Sequence, residues 1–216
     1  MPRIVCISDT HELHESLGIS RMPKGDILIH AGDFTNIGNR GAILEFGTWL
    51  RALDYEHKVV IAGNHDKLFE KDFLVAHKIL KTACPSVRYM QDDGCEVMGL
   101  KMWGSPWQPE FMGWAFNVPR GNLWKKWEAI PPGLDVLVTH GPPSGGLGGN
   151  LVTGEEVGDE ELYKAIFEKR PRVHICGHIH PGYGKREKDG ITFVNAALFD
   201  SAESFRLTKG PIVIDL

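Results

Sequence analysis

The feature that most constrains this chain is a repeated pattern in which a short apolar run ends in a polar side chain able to bind a metal ion. The clearest case spans residues 58–66, where the run stops at Gly63 and Asn64, His65 and Asp66 follow at once. Such β-branched runs are typical of buried strands. Ligands of open α/β sheets bind outside the carboxyl ends of the strands, where residues distant in sequence meet. The sequence therefore predicts one shared site at these strand ends.

Four further runs show the same arrangement and complete one set of candidate ligands. The runs are 4–8, 27–32, 136–139 and 173–177, and the ligands of the whole set are Asp9, His11, Asp33, Asn64, His140, His178 and His180. Carboxylate, amide and imidazole groups without a thiolate suit divalent ions such as Mn, Fe or Zn. Seven protein ligands exceed the capacity of one tetrahedral ion, whereas two ions that share the Asp33 carboxylate account for all of them. In contrast, His30, His77 and His174 lack this spacing and are predicted to be structural.

Length and hydrophobic periodicity predict one α/β domain over residues 1–216, large enough to bury about 70% of its unfolded surface. Apolar residues recur at helical spacing between the strands, which is typical of amphipathic helices that cover a sheet. Helices are predicted at 38–55, 67–82, 122–130 and from Asp159 to Pro171, with closing strands at 191–195 and 212–216. Turn signals within 87–104 predict a meander, so we expect mixed rather than wholly parallel pairing.

Residues 103–116 are rich in Trp, Phe, Pro and Gly, so neither a regular helix nor a regular strand is expected there. We predict a packed loop whose aromatic rings mainly bury area. Stacking of a substrate base on Trp107 or Trp114 is the alternative. Arg120 is a candidate phosphate contact, although exposed basic residues are usually solvated. The glycine-rich stretch 145–149 lacks the Lys-Ser/Thr of a P-loop and is predicted to be a flexible rim near His140.

Composition argues against several classes of function. A formal net charge of -4 and a pI near 6.2 give no general basic field, so we expect no extended nucleic-acid partner. Two divalent ions against two aspartates would still leave local positive charge that attracts phosphate. Four scattered Cys without a C-x-x-C pair give no zinc knuckle or redox motif. No signal peptide or membrane span is recognised, so a cytoplasmic location without a membrane partner is expected.

Together these residues resemble a known family. The series Asp9-x-His11, Gly32-Asp33, Gly63-Asn-His-Asp66, His140 and Gly177-His-x-His180 is similar to the metal-binding signature of the calcineurin-like metallophosphoesterases. The resemblance implies a four-layer α/β/β/α sandwich of two mixed β-sheets flanked by helices. It assigns one ion to Asp9, His11 and His180, the other to Asn64, His140 and His178, and both to Asp33. It also implies a metal-bridging hydroxide as nucleophile, with His65 acting near the leaving group and Asp66 orienting His65.

Departures from the signatures of related families indicate which branch of the calcineurin-like metallophosphoesterases this chain resembles. Asn36 stands where purple acid phosphatases place a Tyr ligand, and Asp66 stands where serine/threonine protein phosphatases carry Glu. Residues 104–109, 113–121 and 139–143 are instead similar to the metallophosphoesterase-domain-containing (MPPED) proteins, a family associated with metal-dependent hydrolysis of cyclic nucleotides and model phosphodiesters. Some animal members carry Gly in place of the first His of the last block. Because His178 is present here, we expect a fully loaded second metal position.

The sequence thus predicts a dinuclear-metal-dependent phosphodiesterase acting on a small phosphodiester or nucleotide, cyclic nucleotides included. Two divalent metal ions are the expected cofactors, with Mn first and Fe, Zn, Ni or Mg as alternatives. Two other hypotheses stay open: a phosphomonoesterase or nucleotidase of the same fold, and a metal-binding scaffold with little turnover. A homo-oligomer is also compatible with the sequence.

Overall fold

The computed structural model describes residues 1–146, 148, 154–200 and 204–216, and they form a mixed α/β fold. The strands in chain order are β1 (Arg3–Ile7), β2 (Ile27–His30), β3 (His57–Val60), β4 (Val87–Tyr89), β5 (Asp93–Val97), β6 (Leu100–Ser105), β7 (Gln108–Pro109), β8 (Asn117–Val118), β9 (Val136–Thr139), β10 (Val173–Cys176), β11 (Gly184–Lys188), β12 (Ile191–Asn195), β13 (Phe199–Asp200), β14 (Arg206–Leu207) and β15 (Ile212–Asp215). The α-helices are α1 (Arg40–Ala52), α2 (Leu68–Lys71), α3 (Phe73–Ala83), α4 (Trp124–Trp127) and α5 (Glu160–Lys169). Short 3-10 turns lie at His14–Leu17, Ile19–Arg21, Arg120–Asn122 and His180–Gly182.

Two main sheets organise these elements. The first has the order β15-β1-β2-β3-β4, in which β1 to β4 are parallel and β15 is antiparallel to β1. The second has the order β11-β12-β10-β9-β6-β5, in which the four inner strands are parallel and both edge strands antiparallel. The prediction of mixed pairing is therefore confirmed. A parallel bridge between Ser8 and Ala197 joins the carboxyl ends of β1 and β12, so this edge of each sheet meets the other.

Three apolar clusters arrange the sheets and helices in four layers. Successive strand residues point to opposite faces, so Ile29 packs between the sheets with Ile175. Its neighbour Leu28 points outward and packs with Phe46 of α1. On the far side, Trp127 of α4 belongs to the cluster that covers the outer face of the second sheet. The predicted α/β/β/α sandwich is confirmed.

Side-chain caps set several helix boundaries. Asp159 accepts a backbone N–H of the first turn at 2.9 Å and begins α5, as predicted. The prediction of one helix over 67–82 is wrong, because Asp72 leaves the helical conformation with φ -150° and separates α2 from α3. The Asp72 carboxylate then caps α3 through a backbone N–H at 3.2 Å. The helix predicted over 122–130 is limited to the single turn of α4.

The aromatic segment 103–116 differs from its prediction at its beginning. Strand β6 continues through Ser105, so the first residues of the segment are extended and paired with β9 and β5. Gly104 permits this, because a Cβ there would lie only 2.7 Å from Ile61 and Met90 between the sheets. Beyond Ser105 the chain forms the predicted packed loop except at the two-residue strand β7, which pairs with β8, and Phe116 is fully buried.

Candidate metal centre

The candidate ligands follow five parallel strands at the edge where the two sheets meet. On the first sheet Asp9 and His11 follow β1, Asp33 follows β2 and Asn64 follows β3. On the second sheet His140 follows β9, and His178 and His180 follow β10. The first five of these side chains are buried, and the last two are partly buried. The structure therefore brings all seven predicted ligands to one end of the sandwich.

Four of these candidate ligands have a positive φ angle, which residues other than glycine rarely adopt. The φ angles are 53° at Asp9, 42° at His11, 56° at Asp33 and 64° at His178. Such residues cost on the order of 1–3 kcal/mol each and persist where the surroundings hold them, which is common at functional sites. Here the Asp9 N–H donates to the Gly32 carbonyl at 2.9 Å, and the His11 N–H donates to the Asp33 carbonyl at 3.0 Å. The loops after β1 and β2 thereby hold each other in place.

Two glycines of the ligand motifs allow the loops to approach closely. A Cβ on Gly63 would lie 2.6 Å from the Asp33 backbone nitrogen and 2.6 Å from His140 Cε1. A Cβ on Gly177 would meet the Asp9 carboxylate. Any larger residue would push ligands of the two sheets apart, so glycine at these positions is a requirement of the site geometry.

One group of ligand atoms is supplied by Asp9, His11 and His180, and its candidate atoms all lie within 4.8 Å of one another. His180 Nε2 is 3.2 Å from Asp9 Oδ1, and Asp9 Oδ2 accepts the His178 backbone N–H at 3.0 Å. Burial alone would raise the pKa of the Asp9 carboxyl, but His180 and the other histidines lower that pKa below its ordinary value. The side chain is therefore a carboxylate, which is the form that binds a cation.

A second group is supplied by Asp33, His140 and His178, again within 4.8 Å. Asp33 Oδ2 lies 3.3 Å from His140 Nε2, and Asn64 Oδ1 lies 3.0 Å from the same nitrogen. Asp33 Oδ2 is also 3.9 Å from His11 Nε2 in the first group. The Asp33 carboxylate thus sits between the two groups.

His140 is held in the tautomer of a metal ligand. Its Nδ1 lies 2.9 Å from the Ala31 carbonyl oxygen, which only accepts, so Nδ1 carries the hydrogen and Nε2 faces Asp33 and Asn64. Burial lowers the pKa of His140, but the Asp33 and Asp9 carboxylates outweigh burial and raise the pKa to about 9. These carboxylates therefore stabilise a positive charge at Nε2, which either a proton or a metal ion provides.

His11 gives the clearest test of whether a metal ion fits. Its Nε2 is buried and has no hydrogen-bond partner among the described residues, and Asp33 Oδ2 at 3.9 Å is too far for one. An unpaired buried polar atom costs about 1–3 kcal/mol, so a nitrogen left bare beside carboxylates indicates a ligand position. Burial lowers the pKa of His11, and burial lowers the pKa of His178 to about 3. Both rings are neutral, as metal binding requires, and the donor set fits divalent cations.

His65 stands beside these ligands. Its Nδ1 lies 2.7 Å from the Asn36 carbonyl oxygen and therefore carries a hydrogen, which leaves Nε2 as the second ring nitrogen. The ring centroid is 4.7 Å from that of His11, and His65 forms a third close group with His11 and Asp33. Its backbone N–H also donates to Asp33 Oδ1 at 2.8 Å. His65 is thus fixed at the edge of both ligand groups.

The Asp66 carboxylate joins the loops after β2 and β3. Its Oδ2 accepts the backbone N–H groups of Asp33 at 2.8 Å, Gly63 at 2.8 Å and Phe34 at 3.4 Å. Its Oδ1 accepts the Thr35 N–H at 2.9 Å and the Thr35 hydroxyl at 2.7 Å. Because the Asn36 carbonyl holds the His65 ring, the predicted influence of Asp66 on His65 would pass through the backbone of these loops.

Two of the predicted substrate contacts have partners within the protein. Trp107 donates its indole N–H to Asp92 at 2.7 Å, and Lys126 Nζ lies 3.5 Å from its ring centroid. Arg120 donates to the Gly158 carbonyl at 3.0 Å and so connects its 3-10 turn to the segment before α5. These contacts are consistent with the packing role that we preferred for Trp107. The predicted rim at 145–149 lies partly outside the described residues, which omit 147 and 149–153.

Trp114 packs directly on His65. The ring centroids are 4.0 Å apart with an interplanar angle of 28°, and Lys67 Nζ lies 4.1 Å from the Trp114 ring centroid. The indole is partly buried. Trp114 therefore borders the centre, although a substrate base would have to compete with these partners for its surface.

Phe199 is a neighbour of the centre that the sequence patterns did not identify. Its ring centroid lies 4.7 Å from that of His11 and 5.4 Å from that of His180. A phenylalanine carries no metal-binding group, so its residue type alone does not mark it as part of a metal site. Its position in the chain could have indicated its place at the site, because Phe199 follows β12, whose end also lies at this edge of the second sheet.

The four-layer sandwich, with Asp, Asn and His side chains clustered at its strand ends, has the architecture of the metallophosphoesterase fold. The family described as "Calcineurin-like phosphoesterase" matches residues 2–182, and the chain belongs to this family. It is 40% identical to "Metallophosphoesterase domain-containing protein 1" of Homo sapiens over 99% of this chain and 71% of that protein, which confirms the MPPED resemblance.

Solved structures show the same fold at low sequence identity. The protein TT1561 of Thermus thermophilus has a TM-score of 0.64 at 14% identity, over 90% of this chain and 88% of that chain. A structure described as a novel archaeal phosphodiesterase has a TM-score of 0.52 at 17% identity, over 98% of this chain and 99% of that chain. At these identities the likeness concerns the fold alone.

Proposed function

We propose that this protein is a dinuclear-metal-dependent phosphodiesterase that hydrolyses small phosphodiesters, cyclic nucleotides among them. The observation that carries the proposal is the convergence of Asp9, His11 and His180 with Asp33, His140 and His178 in adjoining groups of ligand atoms. Membership of the calcineurin-like phosphoesterase family supports hydrolysis of a phosphoric ester. A solved neighbour of the same fold is described as a phosphodiesterase, which supports the choice of a diester as substrate.

In this proposal two divalent ions share the seven ligands. Asp9, His11 and His180 would hold one ion, Asn64, His140 and His178 would hold the other, and Asp33 would serve both. When bound, the ions supply Lewis-acid activation of water and neutralise charge on the phosphate oxygens. The two aspartates offset about half of the charge of two divalent ions, so phosphate is attracted despite the formal net charge of -4. Mn is the first choice of metal, with Fe, Zn, Ni and Mg as alternatives.

His65 is proposed to give a proton to the leaving oxygen. His65 Nδ1 lies 2.7 Å from the Asn36 carbonyl oxygen and donates its hydrogen to it. Nε2 is therefore the nitrogen available to exchange a proton with the substrate. The Asp66 carboxylate acts indirectly, because its bonds to the Asp33 and Gly63 backbones fix the loops that carry the ligands and His65. A ribose alkoxide leaves less readily than a nitrophenolate, so the proton from His65 matters most for natural esters.

A substrate screen on metal-free protein, reloaded separately with Mn, Fe, Zn, Ni or Mg, tests the proposal. We expect turnover of bis-nitrophenyl phosphate and of at least one cyclic nucleotide, faster than that of the matching nucleoside monophosphate. Faster monoester hydrolysis would favour the nucleotidase hypothesis. Uptake of two ions per chain without turnover of any ester would favour the scaffold hypothesis.

A matched pair of Asp→Asn variants links the activity to the centre. Asp33→Asn is expected to lower both ion uptake and turnover by at least tenfold, because the bridging charge is lost. Asp54→Asn alters an exposed carboxylate in the loop before β3 and is expected to leave both unchanged. Equal ion content and activity in the two variants would contradict the assigned ligand set.

Other aspects of the function stay predictions. The described residues contain no helix that is both long enough and apolar enough to cross a lipid bilayer. The cytoplasmic location, the lack of an extended nucleic-acid partner, the single domain over 1–216 and the homo-oligomer remain expectations from sequence. So do substrate contacts of Trp107, Trp114 and Arg120.

A further inference from the structure

Two phenylalanines lead from the metal centre to the surface. Phe199 of β13 lies against His11 and His180, with centroid separations of 4.7 and 5.4 Å. Phe205, just before β14, has its ring centroid 6.2 Å from that of Phe199 at an interplanar angle of 73°. The antiparallel pairing of β13 with β14 keeps these two side chains together. We call them the Phe199–Phe205 pair.

Phe205 combines exposure with an unusual backbone. Its relative exposure is 71% and its φ is 50°. A bulky residue in this region is strained by on the order of 1–3 kcal/mol, and an exposed ring gains little from the hydrophobic effect to offset that cost. Packing within the protein therefore does not account for Phe205, whereas contact with a ligand at the centre would.

The other aromatic side chains considered as substrate platforms are already engaged. Trp114 has His65 at 4.0 Å and Lys67 at 4.1 Å from its ring centroid. Trp107 is held by Asp92 and covered by Lys126. Phe205 is 71% exposed, so most of its surface is accessible to a ligand.

We propose that the Phe199–Phe205 pair is the subsite for a planar aromatic group of the substrate, such as a nucleotide base. The phosphate lies at the ligand groups, Phe199 forms the apolar wall next to His11 and His180, and the base stacks on the exposed ring of Phe205. This inference rests on the proposed function, because it assumes that a phosphate ester binds at the metal centre. It makes Phe205 a specificity-determining residue for esters that carry a base.

Binding measurements without turnover test the subsite. Adenosine monophosphate and ribose 5-phosphate share the phosphate and differ by the base, so titration calorimetry of Mn-loaded protein with each isolates the stacking contribution. We expect adenosine monophosphate to bind wild type about fivefold to tenfold more tightly than ribose 5-phosphate. Phe205→Ala should remove most of this preference while leaving ribose 5-phosphate affinity unchanged, and Phe205→Tyr should retain it.

Leu74→Ala is the control, because Leu74 is a 78% exposed apolar residue on α3 outside the site. It should keep the wild-type preference. Equal affinity of wild type for both ligands, or a preference that survives in Phe205→Ala and disappears in Trp114→Leu, would overturn the inference. Absence of turnover on any ester would instead refute the proposed function, and the calorimetric comparison would still report on the subsite.

Discussion

Asp66→Asn exchanges one buried oxygen for an amide NH₂ in a side chain that accepts five hydrogen bonds. Four donors are backbone N–H groups and the fifth is the Thr35 hydroxyl. An ionised carboxylate is an acceptor at both oxygens and satisfies all five, whereas a carboxamide accepts at one oxygen alone. The substitution therefore preserves shape while it removes acceptors from a fully buried position.

The expected cost follows from the two orientations of the amide. If the NH₂ replaces Oδ1, the Thr35 hydroxyl can rotate to accept, but the Thr35 N–H loses its acceptor. If it replaces Oδ2, the N–H groups of Asp33, Phe34 and Gly63 lose theirs. One unpaired buried donor costs about 1–3 kcal/mol, and the remaining bonds weaken from charged to neutral strength. Removal of the buried charge offsets part of this cost, because burial disfavours the carboxylate, so we expect a net loss of about 2 kcal/mol in the free energy of unfolding.

A neutral Asp66 carboxyl would give the opposite result, a small change in the free energy of unfolding. Burial and the Asp33 charge raise the pKa of the Asp66 carboxyl to about 7, against the hydrogen bonds from Thr35 and Gly63 that favour the ionised form. Were the carboxyl neutral, an amide would replace it at little cost.

Urea unfolding of wild type and Asp66→Asn at pH 8, with a chelator present, measures the difference. Asp72→Asn changes an exposed helix cap, where the two residues are equivalent, and should stay within about 0.5 kcal/mol of wild type. A loss below about 1 kcal/mol for Asp66→Asn would refute our assignment of an ionised carboxylate.

Three other perturbations test neighbouring features. His65→Ala should retain both ions but lose at least tenfold more activity on a cyclic nucleotide than on bis-nitrophenyl phosphate, and equal losses in steady-state kinetics would count against the acid role. Chelation should lower the melting temperature, because the ions bind the folded state, and added Mn should restore it in differential scanning fluorimetry. Burial lowers the pKa of His174 to about 3, so the unfolded chain alone gains this proton below about pH 6.5. Wild type should therefore lose about 2 kcal/mol between pH 7 and pH 5 through this group, and His174→Gln should show a correspondingly shallower loss in urea unfolding.

The strand ends and the convergence of the candidate ligands could be predicted because both depend on residue type: apolar runs mark strands, and Asp, Asn and His are residue types that bind metals. The break at Asp72 was missed since a local cap overrode a continuous helical stripe. Gly104 suggested a loop, yet tertiary contact between the sheets requires glycine within a strand. The Asn36 carbonyl that holds His65 is a backbone group and has no sequence signature, and Phe199 matters through its position alone.

The bridge between Ser8 and Ala197 and the ligand groups beside it mean that neither sheet holds a complete centre. Asp9 and His180, for example, are 171 positions apart in the chain yet belong to one group. A bound cation would cross-link these two distant segments of the chain, and it could do so only after the two sheets have packed together. The number of cations bound per chain should therefore report whether the two sheets are correctly packed, since a protein with intact strands but misaligned sheets would bind fewer cations.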